Sequence, residues 1–188
     1  MLTFFAFGGI IYVEKLERFM SEGHTLNTKR TVEVWRDIIT ATGSQRVFEI
    51  GFNQGHSTQI LLDLGCAVHS VDINPECLQR MQKMKGNFSY EIQDSRDLKA
   101  SDYKKYDLVF VDGMHEAFAI MKDLNFAYHI GAKYIAVDDY GTDPWFYWIP
   151  DVVTKLQNKG FPYKLKKVYT YDATGGENKI GLLCHEER

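Results

Sequence analysis

The feature that most constrains this chain is a run of short apolar segments alternating with amphipathic ones, a pattern broken only near the end. Segments rich in β-branched and aromatic residues occur at 46–50, 67–72, 88–92, 106–112 and 134–137, separated by helical spacings or helix-start signals. Strands that alternate with helices form right-handed βαβ crossovers and a parallel sheet. The last two strands, Tyr163 to Tyr171 and Lys179 to Cys184, are separated only by the loop Ala173 to Asn178, which contains Gly175 and Gly176. A connection that short joins antiparallel strands. The expectation is an α/β fold with a doubly wound, mostly parallel seven-stranded sheet that closes with one reversed strand.

Local signals place the helices. The first is expected from Thr28 to Ala41, capped by Asn27 or Thr28, with Val32, Trp35, Ile38 and Ile39 on one face and Gly43 as its stop. Others are expected at 57–64, at 75–84 with Pro75 in the first turn, at 116–130 before Gly131, and at 145–159 before Gly160. The run Tyr106 to Asp112 is continuously apolar, which predicts a strand buried on both faces at the sheet centre.

With 188 residues, no internal repeat and no Pro/Gly/Ser-rich linker, the chain reads as one domain over 1–188, with 1–45 as an N-terminal helical and rim segment. The net charge of -3 argues against nucleic acid as a partner, and Lys164, Lys166 and Lys167 read as a solvated strand face. Cys66, Cys77 and Cys184 have no zinc-ligand spacing, which fits a reducing compartment. The apolar stretch Leu2 to Val13 is too short to span a bilayer and lacks a basic start. No membrane association and a cytoplasmic location are therefore expected, and a homo-oligomer is left open.

Ligands of open α/β sheets bind at the carboxyl ends of the strands. The acids gather there: Glu49, Asp72, Asp112, Asp138 and Asp139 each end a strand. The first turn, Glu49-Ile50-Gly51-Phe52-Asn53-Gln54-Gly55-His56-Ser57, carries two glycines that permit positive φ and close approach of a ligand. It lacks the G-x-G-x-x-G of a dinucleotide site, and Glu49 would repel a pyrophosphate while welcoming an ammonium or sulfonium group. Asp72 is placed to accept ribose hydroxyls or to cap the helix at Pro75. Asp94 and Ser95 either meet an adenine edge or form a plain turn.

The Glu-x-Gly-x-x-x-Gly loop with Asp72 resembles the S-adenosylmethionine (SAM) site of the class I SAM-dependent methyltransferases, over roughly Arg46 to Asp139. The resemblance implies SAM as cofactor, with contacts from Glu49, Gly51, Asn53, Gly55, His56, Ser57, Asp72, Ile73, Asp94, Ser95 and Asp112. Phe110-Val111-Asp112-Gly113-Met114-His115 and Ala136-Val137-Asp138-Asp139-Tyr140 are similar to segments of the metal-dependent O-methyltransferases of catechol, caffeoyl-CoA and macrolide-sugar type. That likeness implies a divalent cation, Mg²⁺ or Ca²⁺, on Asp112, Asp138 and Asp139. Three converging carboxylates also repel unless protons or a cation compensate them.

His115 stands where the catechol enzymes carry a lysine, so it is either the base or a helix-start residue with local bonds. The expected reaction is methyl transfer from SAM to a hydroxyl of a small molecule or sugar, with Asp112 and His115 as the catalytic residues. Tyr140, Trp145, Phe146, Tyr147 and Trp148 would wall the acceptor, form an interface or belong to the core. Two rivals remain: a module that binds SAM or a nucleoside without catalysis, and a metal-dependent hydrolase or hydroxylase, which leaves Glu49 and Asp72 unexplained.

Overall fold

A computed structural model of the protein describes residues 29–103, 105–142, 146–173 and 176–186. The rim segment over 1–28, the caps Asn27 and Thr28, and Trp145 and Gly175 lie outside the described residues. The elements run α1 (Lys29–Thr42), β1 (Arg46–Ile50), α2 (His56–Asp63), β2 (Ala67–Asp72), α3 (Leu78–Met81), β3 (Phe88–Ile92) and β4 (Leu108–Val111). They continue with α4 (Ala117–His129), β5 (Tyr134–Val137), α5 (Ile149–Gln157), β6 (Tyr163–Ala173) and β7 (Gly176–His185).

The seven strands are ordered β3-β2-β1-β4-β5-β7-β6. β1 to β5 are parallel, whereas β7 pairs antiparallel with both β5 and β6. The reversed strand expected from the short final connection is therefore β7. All four residues of β4 are buried at the centre of this order. The order in which strands are added to the sheet reverses between the parallel β1 and β4, and the loops after those two strands open the crevice where such sheets bind ligands.

Side-chain alternation explains the double winding. Leu108 and Phe110 of β4 join one core with Val32, Trp35 and Ile38 of α1 and with Ile60 and Leu61 of α2. Val109 and Val111 point the other way, to Ile120 and Leu124 of α4 and to Ile149, Val152 and Val153 of α5. The Trp35 ring meets Phe110 edge-on at 4.6 Å, which anchors α1 beside the carboxyl end of the sheet.

Three expected bounds shift. The helix expected at 75–84 divides into a 3₁₀ turn Pro75–Cys77, capped by the Asn74 side chain, and the single turn α3. The helix expected at 145–159 begins at Ile149, with Pro150 in its first turn and Phe146–Trp148 in a turn before it. β6 and β7 extend into the expected loop and pair as far as Ala173 and Gly176. Cys66 and Cys77 are buried and all three cysteines are free. No helix among the described residues is long and apolar enough to cross a membrane.

Candidate functional site

Gly51 follows β1 at φ 96°, and a Cβ there would lie 2.0 Å from the Asp112 carbonyl oxygen. Only glycine lets the first loop lie against the loop after β4. Gly55 takes φ 77° against the Phe52 ring, and Asn53 takes φ 46°. The loop is held from β2: Asp72 Oδ2 accepts from the Phe52 and Asn53 amides at 2.8 and 2.9 Å, and Oδ1 accepts from the Asn74 amide at 2.8 Å. Asp72 thus orders the loop while remaining part of the cavity wall.

Glu49 departs from its expected place. It is fully buried, and its carboxylate accepts hydroxyl hydrogen bonds from Ser57, Thr58 and Ser70. Burial pushes its carboxyl up, and the hydroxyls partly offset that. Glu49 therefore braces the loop from behind, with Ser57, Thr58 and Ser70 occupying its carboxylate. Asp94 is also engaged by its own chain: the Arg96 side chain and amide hold it down at about 2. Ser95 and Ile73 stand with it on the cavity wall.

Two cavities open on this edge of the sheet. One of 440 Å³ runs from Gly51 past Asp72, Ile73, Asp94 and Ser95 to Met114 and His115. The other, of 330 Å³, is walled by Trp35, Phe52, Phe110 and Tyr171 and includes His56, Ser57 and Asp138. Asn53 and Asp112 line both. A larger cleft of 660 Å³, with Arg46, His69 and Ser89 on its wall, lies at the amino ends of the strands, away from these loops.

The acids after β4 and β5 come together without forming the expected ion site. The Asp112 and Asp138 carboxyls face each other, and Tyr171 donates to Asp138 Oδ1 at 2.7 Å. Burial and the facing carboxylate push Asp112 well up, and burial together with Asp139 pushes Asp138 up to about 6. Asp139 adopts φ 51° and turns to His115, whose Nδ1 is 3.4 Å from Asp139 Oδ2. Among the described residues no three His, Cys, Asp or Glu side chains are arranged to hold a metal ion. The donor set expected of Asp112, Asp138 and Asp139 is not assembled for a divalent cation, because Tyr171 engages Asp138 and Asp139 faces a histidine.

His115 is mostly buried, with Nε2 3.9 Å from Asp112 Oδ1 and its ring 4.7 Å from Phe146. Burial lowers its pKa against the opposing pull of Asp139. The expected aromatic wall divides: Phe146 flanks His115, Tyr140 packs over Gly181, and Tyr147 is exposed. Trp35, Tyr171 and Asn178 line the second cavity and were missed by the sequence reading. For Tyr171 and Asn178 the only signal was the reversed strand, which brings the β6–β7 hairpin alongside β5.

A methyltransferase domain family matches residues 48–129, whereas no curated protein sequence matches. Several solved structures share the fold. The N-methyltransferase NodS from Bradyrhizobium japonicum WM9, in complex with S-adenosyl-L-homocysteine (SAH), superposes with a TM-score of 0.67 at 13% identity, over 94% of this chain and 99% of that one. Magnesium protoporphyrin IX methyltransferase from Synechocystis PCC 6803, with bound SAM, gives 0.64 at 16% identity over 83% and 78%. The 1,6-didemethyltoxoflavin-N1-methyltransferase of Burkholderia thailandensis gives 0.64 at 11% identity over 98% and 91%. Residues 48–129 are thus similar to a methyltransferase domain, and the whole sheet, with β7 reversed, has the Rossmann-like fold of the class I methyltransferases.

Proposed function

We propose that the protein transfers a methyl group from SAM, bound in the 440 Å³ cavity, to a small molecule in the 330 Å³ cavity. The observation that carries this reading is the meeting of the two cavities at Asn53 and Asp112. A donor and an acceptor placed on either side of that junction approach each other in line, and such orientation is worth roughly 7–11 kcal/mol in well-positioned reactions. Asp72 would take the ribose hydroxyls, Ile73 would pack against the adenine, and Ser95 would meet its edge. Gly51, Asn53 and Gly55 would bring the backbone to the amino-acid end, while Glu49 acts only through the loop.

His115 is the group best placed to carry a proton away. Burial keeps it neutral, and it reaches both Asp112 and Asp139. The hydroxyl acceptor with a divalent cation, implied by the likeness to the catechol-type enzymes, draws support from the three acids at one edge. The Tyr171 bond to Asp138 and the turn of Asp139 toward His115 weigh against it, so the reaction is proposed without an ion. SAM should raise the melting temperature by mass action, and Asp72→Ala should remove most of that rise. An unchanged melting curve at saturating SAM would overturn the assignment.

A further inference from the structure

We infer that the 660 Å³ cleft at the amino ends of the strands is a second reactive site, in which Ser89 is an activated nucleophile toward small carboxylic esters, with His69 as its base and Glu91 orienting the base. This activity is independent of methyl transfer at the other edge of the sheet.

Strand register brings the three side chains together. Phe48 of β1 pairs with His69 of β2, and His69 pairs with Ser89 of the edge strand β3. Paired residues share one face of a sheet, and Glu91, two residues after Ser89, shares it too. Between β3 and β4 the helical elements are the 3₁₀ turns Ser95–Asp97 and Ala100–Asp102, and Ser89 is left exposed.

The contacts are those of a nucleophile, a base and an orienting acid. His69 Nδ1 is 2.7 Å from Ser89 Oγ, and Nε2 is 3.4 Å from Glu91 Oε1. Glu91 is fixed in turn, because its Oε2 accepts from the Tyr103 hydroxyl at 2.8 Å. An ionised carboxylate only accepts, so Glu91 draws the ring proton to Nε2 and leaves the Nδ1 lone pair for the Ser89 hydroxyl. Nε2 has no closer partner, and such pairs are commonly long before substrate tightens them. Phe48, Tyr103 and Tyr106 surround the imidazole, with ring centres 5.1, 5.7 and 6.3 Å away. That enclosure favours the neutral ring, as a base requires.

The cleft decides what reaches Ser89. Gln45, Arg46, Asn87 and Tyr106 share its wall with His69 and Ser89, and no Asp or Glu is among its described lining. Donors without a facing carboxylate suit a carbonyl oxygen that gains negative charge. On attack, the Oγ–C bond forms, the Ser89 proton passes to His69 Nδ1, and the carbonyl π pair moves onto oxygen. As that pair returns, the bond to the leaving alcohol breaks and His69 protonates the departing oxygen. Water then repeats the two steps on the acyl-serine and frees the acid, so ester and water are the only reactants.

The test is labelling with a fluorophosphonate, whose P–F bond breaks as the serine oxygen bonds to phosphorus, with fluoride leaving and the proton passing to His69. Native protein should gain one phosphonyl group by intact mass, mapped to Ser89 by peptide digestion, and heat-unfolded protein none. Ser89→Ala should abolish labelling, and His69→Gln should slow it by about 10²-fold. Should His69→Gln melt early, Glu91→Gln serves as the second variant, with an expected loss of at least about ten-fold. Hydrolysis of p-nitrophenyl acetate by the same set should fall in the same order. Native protein as inert as the unfolded chain, label on another residue, or labelling that survives Ser89→Ala would overturn the inference. Equal rates in wild type, His69→Gln and Glu91→Gln would overturn it too, by showing a serine that needs neither base nor acid.

Discussion

The two halves of the sheet's carboxyl edge handle their acids differently. After β1, β2 and β3 the carboxylates are satisfied by their own chain: Glu49 by three hydroxyls, Asp72 by three amides and Asp94 by Arg96. After β4 and β5 they face one another. Asp112 and Asp138 are both pushed up, Asp139 sits at positive φ, and Asp139 Oδ1 and His115 Nε2 are buried without a hydrogen-bond partner. A preorganised half suits a cofactor whose shape does not vary, whereas a half with unspent electrostatic demand suits bond-making.

The sharpest way to break this division is at its seam. Gly51→Ala would drive a Cβ into the Asp112 carbonyl, so both loops must move. The expected cost is about 2–4 kcal/mol from overpacking and strained φ, read as a large drop in melting temperature with loss of SAM binding. His115→Ala should lower kcat by about 10²-fold and leave SAM affinity unchanged, measured by SAH release and by titration. A fall in affinity instead would place His115 in the cofactor half.

A pH test examines the packing beneath the seam. Asp123 of α4 is fully buried close to Gly113, and burial pushes it up to about 6 from 3.8, opposed by the nearby Ser95 hydroxyl. A carboxyl raised on folding contributes stability that is fully present below its unfolded pKa and lost as pH rises through about 6. Asp123→Asn should therefore gain on wild type as pH rises from about 4 to about 6, by about 3 kcal/mol in all, as followed by denaturant melts at each pH. A constant difference across that range would show that the carboxyl is not desolvated. The smallest expected effect is that of a chelator: excess EDTA should leave turnover unchanged, since the acids of the second half do not converge on an ion. Loss of activity restored by Mg²⁺ would return Asp112, Asp138 and Asp139 to a metal site.

The first half was legible in the sequence because its signals are local. Gly51 and Gly55 mark turns that need positive φ, and Asp72 ends a strand whose pairing with β1 places it under the loop. The reversed β7 was legible for the same reason, since a short connection leaves one direction open. What failed depends on distant partners. Glu49 looked like a ligand for a cation because Ser57, Thr58 and Ser70 cannot be seen beneath it without the register of β1 on β2. The acids after β4 and β5 were gathered correctly, yet the left-handed turn at Asp139 and the Tyr171 hydroxyl, which decide what the acids do, come from backbone geometry and from a strand 33 residues further on.

In this reading the half after β1 to β3 holds the cofactor while the half after β4 and β5 does the chemistry. Calorimetric titration of SAH into wild type, Asp72→Ala and His115→Ala tests it most directly. The account predicts one saturable site in wild type, an affinity roughly ten- to hundred-fold weaker in Asp72→Ala, as expected for lost charged hydrogen bonds, and an unchanged affinity in His115→Ala. Equal affinities in wild type and Asp72→Ala, or a loss confined to His115→Ala, would contradict it.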